Sequence, residues 1–293
     1  MSVLAHDTSL RPSGGLRRRR IVNRIMEGIG TGAALVAVAV LVLVIVSVAV
    51  RAAPALSWDF FTKEPSLFGA GGGISSALIG SALIVGMATA MALPVGVLIA
   101  IYLTEFAPRQ VAGSIQLVLD VLNGLPTIVT GVFVYGLLVI GHGQSGYAGA
   151  FALAVVMLPL VARAAQETLL LVPSALREAS LALGVSRWRT VVGVILPTTF
   201  GGILTGTVLA VARAAGETAP LLFATSIFSP SVSTDVTKAL PNIPVLIFQY
   251  SEQPDKALHE QAWGAALVLM AFVLIASLGA KALLASSRRK LGQ

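Results

Sequence analysis

The chain has 293 residues, of which 56% are hydrophobic and 11% are charged, and its formal net charge is +7. This composition is typical of polytopic membrane proteins rather than of water-soluble domains. There are no cysteines, so disulfides and thiolate metal sites are excluded, and the scattered His6, His142 and His259 indicate no metal site.

Six apolar segments are long enough to cross a bilayer, which takes about 20 residues. They cover residues 29–50, 74–103, 111–140, 147–171, 191–225 and 262–284. The second, third and fifth exceed one crossing, and Pro94, Pro126 and Pro220 predict kinks or broken ends there rather than additional spans. The sequence therefore predicts an all-α polytopic membrane protein with six transmembrane helices.

The basic residues predict the orientation of these helices. Most of the 20 lysines and arginines fall on the side of the two termini, whereas Arg51, Lys63, Lys238 and Lys256 fall on the opposite side. This asymmetry predicts that both termini are cytoplasmic. Topology and anionic membrane lipid then explain the positive net charge, and no nucleic-acid partner is expected.

The chain divides into four predicted regions. Residues 1–28 are a basic cytoplasmic tail that we expect to be disordered, and residues 29–70 hold the first transmembrane helix and an outward loop. Residues 71–286 form the main transmembrane domain, and residues 287–293 are the cytoplasmic C-terminus. The glycines of 69–73 do not form a phosphate-binding loop, because no Gly-Lys-Ser/Thr follows and no strand precedes them. We therefore expect no ATPase motif and no enzymatic activity in this chain.

The third apolar segment contains four polar residues at helical spacing, namely Asp120, Asn123, Thr127 and Thr130. This spacing predicts one polar face on the helix. Such a face lines a water-filled path or makes hydrogen bonds to neighbouring helices, and the sequence leaves both interpretations open.

A polar loop at residues 173–197 lies between the fourth and fifth apolar segments. Ser174 is predicted to cap a short helix that Gly184 ends, and a second turn begins at Ser186. The first helix has apolar residues at helical spacing: Leu176, Ala179 and Leu183. A short amphipathic helix outside the membrane needs a surface that covers its apolar face, either the lipid headgroups or a partner protein.

One phrase occurs twice, at residues 161–168 and 211–218, and each copy places an arginine four residues before a glutamate. Arg213 of the second copy follows Pro197 by 16 residues, or about 24 Å of helix, so it lies near the middle of the bilayer. A charge at that depth needs a partner or water. Glu217 either forms a structural ion pair with Arg213 or holds it when a path for anions is empty.

The outward loop at residues 226–261 contains an apolar stretch, residues 239–250, that is too short to span a membrane. We expect this stretch to pack along the outer surface, against a partner permease or a substrate-binding protein.

The polar loop resembles the EAA loop of ABC importer permeases. The resemblance rests on Glu178-Ala179-Ser180, on Gly184 and on the sequence from Val194 to Pro197, with Ser180 and Val194 departing from the usual alanine and isoleucine. It implies a coupling helix that fits a groove on a cytoplasmic ATPase, where Gly184 allows close backbone approach. The implied coupling residues are Arg177, Glu178, Ala179, Leu183, Gly184 and Trp188.

Four further phrases resemble the PstA-type permeases of phosphate ABC importers, with coverage from about Gly71 to Leu284. They are 71–74, 123–129, 171–178 and above all 213–222, Arg-Ala-Ala-Gly-Glu-Thr-Ala-Pro-Leu-Leu. The first part of the last phrase also resembles the companion PstC-type subunit, and the Thr-Ala-Pro-Leu-Leu that follows favours PstA.

This resemblance implies a type I ABC importer permease in the bacterial inner membrane. The implied partners are a PstC-type permease, a cytoplasmic ABC ATPase dimer that hydrolyses ATP, an extracytoplasmic phosphate-binding protein and phosphate itself, with no cofactor held by this chain. The implied substrate path contains Arg213, Glu217, Arg163, Thr218, Asn123 and Thr127. The alternatives are a permease for sulfate, molybdate or phosphonate, an ion-coupled secondary transporter, and a membrane scaffold without transport activity.

Overall fold

The computed structural model describes residues 14–66, 71–227 and 231–290, with the side chains of 18–66, 71–227 and 231–282. Within these ranges every regular element is a helix and no strand occurs. The chain divides into two compact units, Met1–Val50 and Arg51–Gln293.

Helix α1 (Gly14–Ala52) has 39 residues and begins well before the predicted first span. Residues 14–28, predicted to belong to a disordered tail, are therefore helical. The reason is that this stretch has no proline after Gly14 and is rich in arginine, a good helix former. The remainder of the predicted tail, residues 1–13, lies outside the described residues.

The second unit contains a 3-10 turn at Ala53–Ala55 and the other eleven α-helices of the described chain. They are α2 (Trp58–Thr62), α3 (Ser75–Ile101), α4 (Arg109–Gly124), α5 (Thr127–Val134), α6 (Gly146–Leu170), α7 (Ser174–Ala182), α8 (Arg187–Thr190), α9 (Leu196–Ala214), α10 (Ala219–Ala224), α11 (Ile243–Ser251) and α12 (Lys256–Lys290). Single π turns extend α3 and α5, at Tyr102–Phe106 and Tyr135–Val139, and another at Val191–Ile195 joins α8 to α9.

Five continuous helical stretches are long and apolar enough to cross a membrane: Arg18–Ala55, Ser75–Phe106, Gly146–Leu170, Arg187–Ala214 and Lys256–Ala282. Helices α4 and α5 are not continuous, because they meet at a bend of 96°. Counted together, they make a sixth span. Pro126 explains the bend, since it cannot donate a backbone hydrogen bond and keeps Leu125 extended (ψ 134°). By contrast, α3 continues through Pro94 without a break.

Helix α6 is at the centre of the second unit and packs against α3, α4, α5, α9 and α10. Small residues permit the close approach: a Cβ on Gly96 of α3 would meet Val161 at 2.9 Å, and a Cβ on Gly206 of α9 would collide with Ala164. Gly202, one turn before Gly206, lies in the same way against Thr168. The polypeptide directions of α6 and α9 are therefore opposite.

The apolar stretch at residues 239–250 packs inside this chain, not along its outer surface as predicted. Most of this stretch forms helix α11, which packs against α12 and α3. Its residues Ile243, Val245 and Leu246 are buried. The buried Thr225 hydroxyl donates to the Leu240 carbonyl (2.9 Å) and accepts from the Leu240 N–H (2.8 Å). Because these hydrogen bonds satisfy the backbone of the loop, the stretch can lie in the core.

Candidate anion path and coupling loop

The sequence spacing places Arg213 and Glu217 on one helical face, but the structure does not. Helix α9 ends at Ala214, and the backbone then turns tightly: the N–H of Gly216 donates to the carbonyl of Arg213, and that of Glu217 donates to the carbonyl of Ala214. No ion pair joins Arg213 to Glu217 among the residues whose side chains are described. Neither of the two alternatives from the sequence, a structural ion pair or Glu217 holding Arg213 when the path is empty, is therefore observed, because the helix ends between the two residues.

Each of the two charges instead lies at a helix end of complementary polarity. Arg213 is in the last turn of α9, where carbonyl groups give a partial negative charge, and Glu217 directly precedes Thr218, the N-cap residue of α10. Arg213 is exposed and Glu217 is half-buried. The guanidinium of Arg213 is thus available to a ligand.

Arg163 forms an ion pair with Asp120 of α4, and not with Glu167, which lies four residues further along α6. The side chains of Arg163 and Asp120 are 41% and 57% exposed. The adjacent residues explain the pairing, because Leu119 and Ala162 are buried together in a small apolar cluster with Leu103. The packing of α4 on α6 thereby selects Asp120 as the partner.

The predicted polar face of residues 120–130 is not continuous, because the bend after Gly124 separates its two halves. Asn123 is exposed near the end of α4, and Thr127 is half-buried in the first turn of α5. Thr130 is buried in α5, the helix that packs against α10.

The short helix α10 follows directly after the Arg213–Glu217 turn and packs against α5 and α6. Thr218 is half-buried at its N-terminus and makes no side-chain cap. A Cβ on Gly131 of α5 would meet the Cα of Pro220 at 2.9 Å. This close contact fixes the position of the helix that follows the turn.

Arg163 and Arg213 lie at different levels of the helix pair α6 and α9. Gly206 faces Ala164 and Gly202 faces Thr168, so Arg213 is level with a position six residues before Arg163 on α6. At 1.5 Å per residue this difference is about 9 Å along the helix axes.

The loop at residues 173–197 forms the two predicted short helices, α7 and α8. Gly184 ends α7 with a φ of +76°, which favours glycine, and this confirms the predicted end of the helix. The predicted cap is wrong: Pro173 occupies the N-cap position and Ser174 is the first helical residue, without a side-chain capping hydrogen bond.

Arg177 of α7 points toward its own chain. Its Nη1 donates to the Val172 carbonyl (2.6 Å), its Nη2 donates to the Leu169 carbonyl (2.9 Å), and its Nε donates to Oε1 of Glu105 (3.0 Å). The side chains of Arg177 and Glu105 are only 24% and 12% exposed. This clamp joins α7 to the end of α6 and to the π turn after α3.

A second internal contact joins the two short helices. Ser180 and Thr190 are both buried, and their hydroxyl oxygens are 2.7 Å apart. The departure from the EAA pattern at Ser180 thus supplies a hydrogen bond that alanine cannot make.

The outer face of the loop is exposed and partly apolar. Leu183 is 83% exposed and Trp188 is 55% exposed. Glu178, Ala179 and Gly184 are exposed beside them. A cleft of about 230 Å³ beside this face is lined by Glu105, Arg177, Leu181, Arg187 and Thr190. An exposed apolar surface of this kind suits a protein partner.

Sequence reasoning missed Glu105 as the partner of Arg177 and Asp120 as the partner of Arg163. Both are carboxylates in or directly after apolar segments, where an acidic residue needs a partner. That signal was available, but it does not identify which basic residue is the partner.

Known membrane transport proteins resemble this chain over most of its length. Residues 92–290, more than half of the chain, match the family described as binding-protein-dependent transport system inner membrane component. The phosphate transport system permease protein PstA of Haemophilus influenzae is 39% identical over 259 residues, which cover 87% of this chain and 91% of that protein. The protein of the same name from Xylella fastidiosa (strain Temecula1) is 40% identical over 271 residues, which cover 92% of this chain and 94% of that protein.

A solved structure also resembles it. One chain of a bacterial ABC transporter involved in the import of the acidic polysaccharide alginate matches with a TM-score of 0.58 at 16% sequence identity, over 92% of this chain and 99% of that one. At this identity the likeness shows the fold alone, and the predicted all-α fold of type I ABC importer permeases is confirmed.

Proposed function

We propose that this chain is the PstA-type permease subunit of an ATP-driven phosphate importer. The chain belongs to the family of binding-protein-dependent transport system inner membrane components. The observation that carries the proposal is the identity of 39% and 40% to two PstA proteins over 87% and 92% of the chain. It forms the path for phosphate together with a second, PstC-type permease. A cytoplasmic ATPase dimer supplies the work, and an extracytoplasmic binding protein delivers the anion.

The anion path uses the arginines of α6 and α9. Guanidinium groups bind oxyanions through two parallel hydrogen bonds, and Arg213 is exposed with no carboxylate bound to it in the described chain. Glu217, on the other side of the turn, disfavours tight trapping of an anion there. We assign Thr218, Asn123 and Thr127 to the same path, to which they would contribute hydroxyl and amide groups.

The coupling surface is the outer face of α7 and α8. Leu183 and Trp188 supply exposed apolar contact area, and Gly184 lets a partner's backbone approach closely. Glu178 and Ala179 lie on the same exposed side. Arg177 holds this surface on the body of the permease, so that a push on the loop moves α6 and α3.

Reconstitution into lipid vesicles tests the proposal. The chain is combined with its partner permease, the ATPase subunits and the binding protein, and uptake of radiolabelled phosphate is measured with and without ATP. Arg213→Gln should abolish uptake while the complex assembles normally, because glutamine cannot bind the anion by charge. Normal uptake by that variant would refute the role of Arg213.

Two further measurements separate the other functions. Competition by sulfate, molybdate or phosphonate shows which oxyanion the complex carries. Uptake that continues without ATP and in the presence of vanadate would indicate an ion-coupled secondary transporter, and the absence of any flux would indicate a scaffold.

A further inference from the structure

The Asp120–Arg163 ion pair has a position that no other pair shares in the described chain. It joins α4 to α6, two helices that both belong to candidate membrane spans, whereas three of the other ion pairs lie within four residues of sequence. The remaining pair, Glu105 with Arg177, fixes the coupling loop. Asp120 therefore controls the availability of one of the two arginines on the proposed anion path.

Helix α4 is attached to the rest of the second unit by few contacts. Leu119 is its only buried residue, and it lies next to Asp120 in sequence. A Cβ on Gly113 or on Gly124 would meet nothing within 4 Å, so no part of this chain packs closely on α4 at these two positions. The 96° bend at Leu125 then gives the helix a joint at its end.

The carboxylate of Asp120 and an oxyanion bind a guanidinium in the same way, through paired hydrogen bonds to oxygen atoms. An anion that reaches Arg163 must therefore displace Asp120. The replacement of Asp120 by the anion is easily reversible. An ion pair as exposed as Asp120–Arg163 shifts the equilibrium between its formed and broken states by only about two- to fivefold.

We propose that Asp120 is a positioning residue for the transported anion: it occupies Arg163 when the path is empty and is displaced when the anion arrives. Its displacement releases α4 to pivot at the Leu125–Pro126 bend, and its return to Arg163 helps to expel the anion. The inference rests on the proposed function, because it takes the anion path as given, and it adds a residue that couples anion binding to a movement of α4.

Distance measurements between α4 and α6 test this inference, since the chain has no cysteine and introduced ones can be labelled selectively. Spin labels are attached to Ser114→Cys and Glu167→Cys, both exposed positions, in the complete importer without ATP. In the wild-type background, millimolar phosphate should shift the ratio of two distance populations by about two- to fivefold. Asp120→Asn should show the shifted ratio without phosphate, because asparagine carries no charge to hold Arg163.

Two matched variants make the test specific. Asp120→Glu keeps the charge and should respond to phosphate as the wild type does. Asp59→Asn removes a carboxylate from the exposed pair with Lys63 and should leave the distances unchanged.

Three outcomes overturn the inference. The ratio of distance populations in Asp120→Asn without phosphate equals that of the wild type, the ratio in Asp120→Glu is shifted even without phosphate, or Asp59→Asn shows the same shift as Asp120→Asn. If Asp120→Asn does not assemble, the test rests on the distance ratio of the wild type with and without phosphate. The absence of a phosphate-dependent shift there refutes the role of Asp120. A wild type that responds to sulfate but not to phosphate contradicts the proposed substrate and supports the role of Asp120. A wild type that imports phosphate without any distance change supports the proposed substrate and contradicts the role of Asp120.

Discussion

Replacement of Arg177 by alanine removes the clamp that holds α7 on the body of the permease. The guanidinium donates hydrogen bonds to Glu105 and to the carbonyls of Leu169 and Val172. In Arg177→Ala the Glu105 carboxylate, whose side chain is only 12% exposed, loses its positive partner. The two carbonyls at the end of α6 lose a donor at the same time.

The cost follows from this burial. Removal of one partner from a fully buried ion pair destabilises a protein by about 3–5 kcal/mol. Because Arg177 is 24% exposed and water can enter the gap, we expect about 2–3 kcal/mol for the docking of α7. This corresponds to an opening equilibrium about 30- to 150-fold more favourable than in the wild type.

Amide hydrogen exchange measures that equilibrium directly. Exchange in Ser174–Ala182 should accelerate by about 30- to 150-fold in Arg177→Ala, while α3 and α6 away from the clamp keep their protection. In the reconstituted importer the same variant should hydrolyse ATP with little phosphate uptake, because the loop no longer transmits motion to α6.

Arg109→Ala is the matched control, since Arg109 is exposed and makes no ion pair among the residues with described side chains. It removes the same charge without removing a clamp, and exchange in α7 should stay at the wild-type rate. Equal exchange rates in α7 for Arg177→Ala and the wild type would refute the reasoning.

Three further substitutions and one control variant test other contacts through thermal unfolding of the detergent-solubilised protein. Gly206→Ala should destabilise it by about 1–3 kcal/mol, because the added methyl group collides with α6, whereas Gly113→Ala in an open position of α4 should be neutral or slightly stabilising; equal effects would contradict the close α6–α9 packing. Thr225→Val should cost about 1–3 kcal/mol, because the buried backbone of Leu240 loses both hydrogen bonds to the hydroxyl, and an unchanged unfolding temperature would exclude that role. Ser180→Ala should cost about 0.5–1.5 kcal/mol for one lost hydrogen bond to α8, and a larger loss would mean that Ser180 does more than join the two short helices.

Local signals in the sequence predicted the elements of the fold. Apolar length predicted the spans, and Pro126 predicted the interruption of the third one, which the bend of 96° confirms. Gly184 predicted the end of α7, and its φ of +76° confirms that assignment. These features depend on a few consecutive residues, so composition and spacing are sufficient to identify them.

Helical spacing failed where the helix itself ended. Arg213 and Glu217 are four residues apart, but α9 stops at Ala214, and the two charges lie on different elements. The polar residues from Asp120 to Thr130 are likewise divided by a bend. A spacing argument holds only within one uninterrupted helix.

By itself, the sequence determined that this chain crosses a membrane several times, that its third apolar segment is interrupted at Pro126, and that a short amphipathic loop needs a partner. Only the tertiary structure decided that Arg163 pairs with Asp120, that Arg177 pairs with Glu105, and that the stretch at residues 239–250 lies in the core. The physical reason is that periodicity and composition act along the chain, whereas the partner of a charge is chosen by helix packing, which brings residues far apart in sequence to one place.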